Sequence, residues 1–288
     1  MAEPPTDAPT FTFDPFARHQ FYIDINASLV QRAIARVDVT RPSGQRLCVV
    51  ELASGTGAVT EQILDAVKRC GLQATLVAVE PSLDALAIAR ERLQGRDVVF
   101  VQGDADQLGD VVSQADAAFF CNVMHLVRDK RDALDKLAHV LAPGGYLACN
   151  STFFDGAYAP GSERAYQVYM RKALLWLRRH HPEVRLVRRE KANTLEWLTT
   201  DQYVALAEEL GLCLVERELE VAQMPLRAWQ DIGSYSLFIE GALPGVPIPI
   251  GAQALDHAAA ATFAELDVDV IPRVWLQLIL QRPQRLRE

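Results

Sequence analysis

The chain has 288 residues, 50% hydrophobic and 23% charged, enough for one large domain with insertions or for a domain plus a small lid. Its net charge of −8 excludes a generic binder of phosphate backbones, though not a local basic patch. No run reaches the roughly eighteen apolar residues of a membrane span, and MAEPPTDAPTFTF lacks the cationic-then-apolar pattern of a signal peptide.

Residues 1–12 are proline-rich and read as loose; residues 14–37 carry helical spacing and read as one or two helices before the first strand. From 46 to 152 strands and amphipathic helices alternate, with strands expected at 47–52, 75–80, 98–102, 116–121 and 145–150. Near Asp129 a helix begins whose Leu134, Leu137, Ala138 and Leu141 fall at i, i+3, i+4 and i+7; Pro143-Gly144-Gly145 should end it in a turn. This alternation implies a doubly wound α/β fold, a parallel sheet with helices on both faces.

After 152 the rhythm breaks into a loop and a basic amphipathic helix over 153–197. It returns with a helix at 200–210, fronted by Thr199 and Gln202 at capping-box spacing and closed by Gly211. A strand at about 212–221 follows, then a Pro/Gly-rich irregular insertion over 224–270 ending in an Ala-rich helix, and a last strand at 274–281. The organisation expected is an N-terminal segment (1–40) over the active site, a cofactor-binding half (41–152), and a second half (153–288) with lid-like insertions at 153–197 and 224–270.

A strand feeding Gly55-Thr56-Gly57 and then a helix outlines a nucleotide-cofactor site, because glycine lets the ligand approach the backbone and a helix N-terminus offers free N–H groups. A tight turn with no ligand would look the same from the loop alone. Glu80 ends the second strand, 23 residues after Gly57, where a carboxylate can accept from both ribose hydroxyls; Asp104 follows the third. A dinucleotide oxidoreductase would want a third glycine where Thr60 stands, and its pyrophosphate would be repelled by Glu51. A cationic cofactor would be attracted.

Taken together, ELASGTG (51–57), VAVEPS (77–82), GDADQL (103–108), NVMHLVRD (122–129) and LAPGGYLA (141–148) resemble the class I S-adenosylmethionine-dependent methyltransferases. The likeness covers residues 46–150. It implies a mostly parallel seven-stranded sheet with an antiparallel last strand, which VWLQLILQ would supply. It also implies that Glu51, Ala53, Gly55 and Gly57 line the methionine part of the cofactor. Glu80 would hold the ribose, Pro81 and Ser82 would flank the adenine, Asp104 and Ala105 would meet its edge, and Asn122 would lie near the sulfonium. Ser54 stands where the family often has Cys or Gly, a mild departure.

The acceptor is less defined. Neither the NPPY-type tetrad of amide or base-nitrogen enzymes nor a clear carboxylate set for magnesium is present, so no metal is expected, although Asp116 and Asp129 lie near. His125, just past the fourth strand, is the best base, with an ordinary pKa suited to neutral pH, unless it caps or packs. His19 and Tyr22 are weaker candidates. Residues 171–191 are locally basic and suit either an anion-attracting mouth or a solvated helix face. Trp229, Tyr235, Phe238 and Phe263 could roof an apolar pocket or fill the insertion's own core.

The expectation is C- or O-methylation of a small, apolar or aromatic and conceivably anionic molecule, in specialised metabolism. A NAD(P)-binding oxidoreductase or an inactive cofactor-binding module are the rivals. No nucleic acid is expected as partner and no membrane span is expected, the oligomeric state is open between monomer and homodimer, and five cysteines without C-x-x-C spacing suit the reducing cytoplasm.

Overall fold

Strand segments rich in Val, Ala and Phe, spaced by amphipathic helices, assemble as the alternation implies. The structure is a computed structural model describing residues 12–40, 44–187 and 197–284. The proline-rich start before residue 12 and the end of the basic stretch beyond residue 187 lie outside the described residues. In chain order the elements are α1 (Asp14–Ala17), α2 (Gln20–Thr40), β1 (Leu47–Leu52), α3 (Ala58–Arg69), β2 (Ala74–Glu80), α4 (Leu83–Arg92) and β3 (Val98–Gln102). A single 3-10 turn (Ala105–Gln107) leads into α5 (Leu108–Val111), β4 (Ala115–Cys121), α6 (Lys130–Val140) and β5 (Leu141–Ser151). Then come α7 (Glu163–His180), α8 (Thr200–Glu209), β6 (Cys213–Pro225), α9 (Leu226–Gly233), α10 (Ser236–Ala242), α11 (Ile248–Leu266) and β7 (Val270–Gln281).

The chain divides into two compact units. The larger (Gln20–Ala159, Lys191–Ala222 and Arg273–Glu288) holds the seven-stranded sheet, in the order β3-β2-β1-β4-β5-β7-β6. β1 to β5 pair in parallel, and β7 runs antiparallel to β5 with Asn150 opposite Gln277. Because side chains alternate across a strand, each strand supplies both faces. Val49, Leu76, Phe119 and Ala148 pack beneath α2 and α3 with Leu29, Ile34 and Ile63. Val50, Val77, Phe120 and Leu147 pack on the opposite face with Leu134, Leu137 and Tyr203 of α6 and α8. With both faces covered, truncating a side chain such as Phe119, which is fully buried, should cost about 3–5 kcal/mol.

Helix ends follow the sequence signals. Asp129 caps α6 by accepting from Asp132 N–H at 2.9 Å, and Thr199 with Gln202 forms the reciprocal capping box of α8. Pro143-Gly144-Gly145 differs from its expectation: α6 has already ended at Val140, and these residues lie within β5 rather than in a turn that closes the helix. Leu141 pairs with Ala115, the register then shifts, and pairing resumes at Tyr146 with Ala117.

The smaller unit (Met1–His19, Pro160–Glu190 and Gln223–Pro272) is helical. Its segment 224–270, expected to be irregular, carries α9, α10 and α11. The prolines stand where a helix tolerates them: Pro225 and Pro247 are N-caps, and Pro249 occupies the first turn of α11. Small residues on α11, among them Ala254, Ala258 and Ala259, are fully buried, and Tyr169 of α7 meets Trp229 of α9 edge-on at 5.2 Å. Trp229 and Phe263 are buried and Tyr235 lies against Phe13, so these aromatics fill the core of their own unit.

Candidate active site

Ligands of open α/β sheets gather at the carboxyl ends of the strands, near the point where strand order reverses. Here that point lies between β1 and β4. At the end of β1, Glu51 is only 2% exposed and accepts a 2.6 Å hydrogen bond from the Thr60 hydroxyl of α3. Burial, and then the neighbouring Glu80, push its carboxyl up to about 8, with Thr60 working against them. The loop that follows turns through left-handed backbone at Ala53, Gly55 and Gly57. A side chain on Gly55 would enter open space, so its backbone presents itself to a ligand; one on Gly57 would press on Leu93 and Ala89 of the α4 region.

Glu80, at the end of β2, binds the loop to itself. One carboxylate oxygen accepts from Gly55 N–H at 2.9 Å and the other from Ser82 N–H at 3.0 Å. Each oxygen keeps a lone pair for a further donor. Pro81 and Ser82 follow on the exposed rim, where the Ser82 hydroxyl caps α4. Asp104, at the end of β3, caps the 3-10 turn that contains Ala105: its side chain accepts from Asp106 N–H at 2.8 Å, while its own N–H donates to Gln107.

Asn122, directly after β4, has φ 59°, a conformation asparagine tolerates better than most residues. Its side chain is fully engaged. The amide nitrogen donates to the Tyr22 hydroxyl and to Asn26 Oδ1, each at 3.0 Å, and Oδ1 accepts from Trp275 Nε1 at 2.9 Å. Asn150 at the end of β5 joins by accepting from Asn122 N–H and donating to Asn26. Four elements, α2, β4, β5 and β7, are thereby tied at one buried point. Tyr22 belongs to that tie; burial, followed by Cys121 and Glu51, raises its phenol well above the usual value. His19 lies in the smaller unit, where its Nε2 meets Asp231 Oδ2 at 2.8 Å.

Beyond Asn122 the charge changes sign. His125 is buried, with its ring 4.1 Å from that of Phe153 and its Nδ1 3.4 Å from the Ser151 hydroxyl. Its pKa is not the ordinary value expected for a free histidine. Burial, then Lys130 and Arg273, lower it to about 3, so the imidazole is neutral throughout the physiological range. Arg273 of β7 is 5% exposed; its Nε and Nη2 donate to Thr152 carbonyl oxygen at 3.2 and 2.8 Å. The rings of Tyr158, Phe153 and Trp197 lie 4.8, 5.3 and 5.6 Å from its guanidinium carbon. Asp116, by contrast, accepts from Cys48 N–H inside the sheet, and Asp129 is the cap of α6.

The structure thus gathers Glu51, Ala53, Gly55, Gly57 and Glu80 around one loop and gives Asp104 a capping role. Sequence reading missed Asn26, Asn150, Trp275 and Arg273. The signal available was a polar residue closing an apolar strand, as in ACN at 148–150, and a lone arginine opening VWLQLILQ.

Residues 49–145 match the family model described as Methyltransferase domain. The match covers about a third of the chain, and the seven-stranded sheet with its antiparallel β7 is in keeping with it. A demethylmenaquinone methyltransferase of Clavibacter sepedonicus is 33% identical over 141 residues, covering 49% of this chain and 51% of that protein. A non-reducing polyketide synthase of Macrophomina phaseolina is 29% identical over 113 residues, 36% of this chain and 5% of the synthase. The chain therefore matches about half the length of the former and a small part of the latter. Among solved structures, a proposed sarcosine dimethylglycine methyltransferase of Galdieria sulphuraria superposes with a TM-score of 0.55 at 13% identity, over 95% of this chain and 94% of that one. At that identity the likeness is one of fold.

Proposed function

We propose that the protein transfers a methyl group from S-adenosylmethionine to a small, apolar or aromatic molecule at carbon or oxygen, in specialised metabolism. The observation that carries this reading is the pair of acids, Glu51 and Glu80, flanking a left-handed glycine loop at the reversal of strand order. When bound, S-adenosylmethionine supplies an electrophilic methyl group on a cationic sulfur, beside a cationic ammonium group. Glu51, whose carboxyl burial pushes up to about 8, faces that charge and becomes a carboxylate as the cation docks and displaces its proton. Glu80 offers one lone pair per oxygen to the ribose hydroxyls, while its bonds to Gly55 and Ser82 keep the loop shaped for them. Asn122, held by four elements, fixes the backbone past which the methyl group passes, and His125, neutral but too weakly basic at a pKa near 3 to take a proton by itself, helps to position the acceptor.

Thr60 also weighs against the oxidoreductase reading. In place of a third glycine it puts a hydroxyl on Glu51 and keeps an acid where a pyrophosphate would have to approach. The five cysteines are free, in keeping with a reducing compartment, and no helix among the described residues is long and apolar enough to cross a membrane.

The test is a thermal-shift comparison. S-adenosylhomocysteine at about a hundred times its dissociation constant should raise the melting temperature by about 5–10 °C, and NAD should not. The reverse ranking removes the cofactor assignment. Binding without transfer to any of a broad panel of phenols, enols and quinones would favour an inactive module.

A further inference from the structure

The basic segment that begins with α7 has no part in the site described above. α7 is 18 residues long, and its buried side, with Ala165, Tyr169, Ala173 and Leu177, belongs to the core of the smaller unit. Its exposed side is a single row at helical spacing: Arg164, Gln167, Arg171, Leu175 and Arg178, with Arg179 beside the last. The chain beyond the helix continues the pattern with exposed Arg185, Leu186 and Val187, the last held where its N–H donates to Pro244 carbonyl oxygen at 2.9 Å. Leu175, Leu186 and Val187 are 53, 43 and 52% exposed. Among the described residues, only Arg171 of these arginines has an acidic partner, Glu265, which Lys172 shares. Helix stability explains part of the row and not the rest. Arg178 and Arg179 suit the negative end of the helix dipole, but Arg164 stands in the first turn, where a cation is disfavoured. Nor does the dipole account for large aliphatic side chains left in water among the arginines.

We infer that this face of the smaller unit docks on an anionic lipid bilayer, its arginines meeting headgroup phosphates and its aliphatic side chains entering the boundary between headgroups and acyl chains. Charge complementarity carries the inference. Exposed guanidinium groups without acidic partners among the described residues are gathered on a chain whose net charge is −8. Two features favour a bilayer over an acidic protein. Arg164 to Arg178 form one row about 21 Å long at 1.5 Å per residue, so a plane laid along the helix meets every member at once. Such a row is a ridge, and it offers no pocket for the anchor residues by which protein partners hold one another. The cations of the row are also all arginine, whose planar, weakly hydrated fork grips phosphate oxygens in pairs. The same lipids repel the acidic remainder of the chain, so docking is confined to this face and is reversed by salt. The inference does not depend on the methyl-transfer reading. It adds where an apolar acceptor would be met, since such molecules concentrate in bilayers.

The test is flotation of the full chain with two kinds of vesicle, phosphatidylcholine alone and phosphatidylcholine with about 30% phosphatidylglycerol. The chain should bind the anionic vesicles about tenfold or more tightly than the neutral ones, and about 0.5 M salt should release it. Arg178→Gln combined with Arg179→Gln should weaken binding about tenfold, and Leu175→Ser should weaken it a few-fold with the salt dependence kept. Arg96→Gln, which removes an exposed arginine of the larger unit paired with Asp65, should change nothing. No flotation, equal flotation on both vesicles, unchanged binding in the double variant, or an equal loss in Arg96→Gln would overturn the inference. So would retention on immobilised polyglutamate that the double variant loses while neither vesicle is bound, a result that assigns the row to an acidic protein. Should the double variant not fold, the wild-type preference, its salt release and Leu175→Ser decide the matter.

Discussion

Two corners of one sheet edge are built with opposite charge. The ends of β1 and β2 bring Glu51 and Glu80 together, with Tyr22 and Cys121 near enough to feel the Glu51 charge. The ends of β4, β5 and β7 bring His125 together with Lys130 and Arg273. In both corners burial is the leading influence; Glu51 is pushed up to about 8 against the Thr60 hydrogen bond and with a smaller push from Glu80, and His125 is lowered to about 3 with help from Lys130 and Arg273. Burial thus disfavours the charged form of each group, and a ligand of opposite sign beside either one would favour it again. Asn122 is tied between the two corners.

The sharpest way to break this comparison is at His125. His125→Ala should lower turnover about a hundredfold by misplacing the acceptor, while S-adenosylhomocysteine affinity stays within about threefold of wild type. The pH profile says more than the rate. A histidine with a pKa near 3 is already neutral at pH 5, so kcat should show no inflection near 6.5 from this group. Normal turnover in a variant that binds cofactor, or a clear step at 6.5, would show that the positive corner does not govern this ring.

The next effect belongs to the acidic corner. Glu80→Ala removes the acceptor for Gly55 and Ser82 N–H together with the proposed ribose contacts, and S-adenosylhomocysteine affinity should fall about tenfold or more. Glu80→Gln keeps the shape but turns one acceptor into a donor, so it should fall in between. Calorimetric titration checks both. Unchanged affinity in Glu80→Ala would show that the ribose lies elsewhere.

The acidic corner was legible in the sequence because its parts are contiguous in chain order: a strand end, two glycines, and an acid closing the next strand. The sheet was legible for the same reason, since short apolar runs such as LCVVEL and ADAAFFC alternate with amphipathic helices, the pattern of buried strands in a parallel sheet. The basic corner was not. His125, Ser151, Trp197 and Arg273 come from four separate places in the chain, and only the β5–β7 pairing brings Arg273 to Thr152. Nor did the sequence reveal the lowered pKa of His125, because burial is not written in the residues beside it. The helices of 224–270 were hidden by prolines that mark helix starts as readily as loops.

The smallest expected effect, a factor of a few per pH unit, is the most specific to the comparison and concerns the proton on Glu51. Its folded pKa of about 8 lies above the ordinary 4.5, so between those values the folded chain binds a proton that the unfolded chain releases. The contribution to stability is therefore fully present below pH 4.5 and is lost as pH rises through 8. His125 works in the other direction: its folded pKa of about 3 lies below the ordinary 6.5, so its effect is a loss of stability as pH falls below 6.5. Above pH 6.5 the Glu51 contribution therefore stands apart from it, and Tyr22 and Cys121 are pushed upward, away from that window. A cation docking against Glu51 must expel its proton, so S-adenosylmethionine affinity should climb between pH 6.5 and 8, by a few-fold per unit and at most about tenfold, the limit for one proton. Calorimetry in two buffers of different ionisation enthalpy should count that proton as released. Glu51→Gln should bind cofactor more weakly at pH 8, lose the climb, and release nothing. A wild-type affinity that is flat across this range would place the cation away from Glu51 and leave the charge contrast between the two corners without a role in binding the donor.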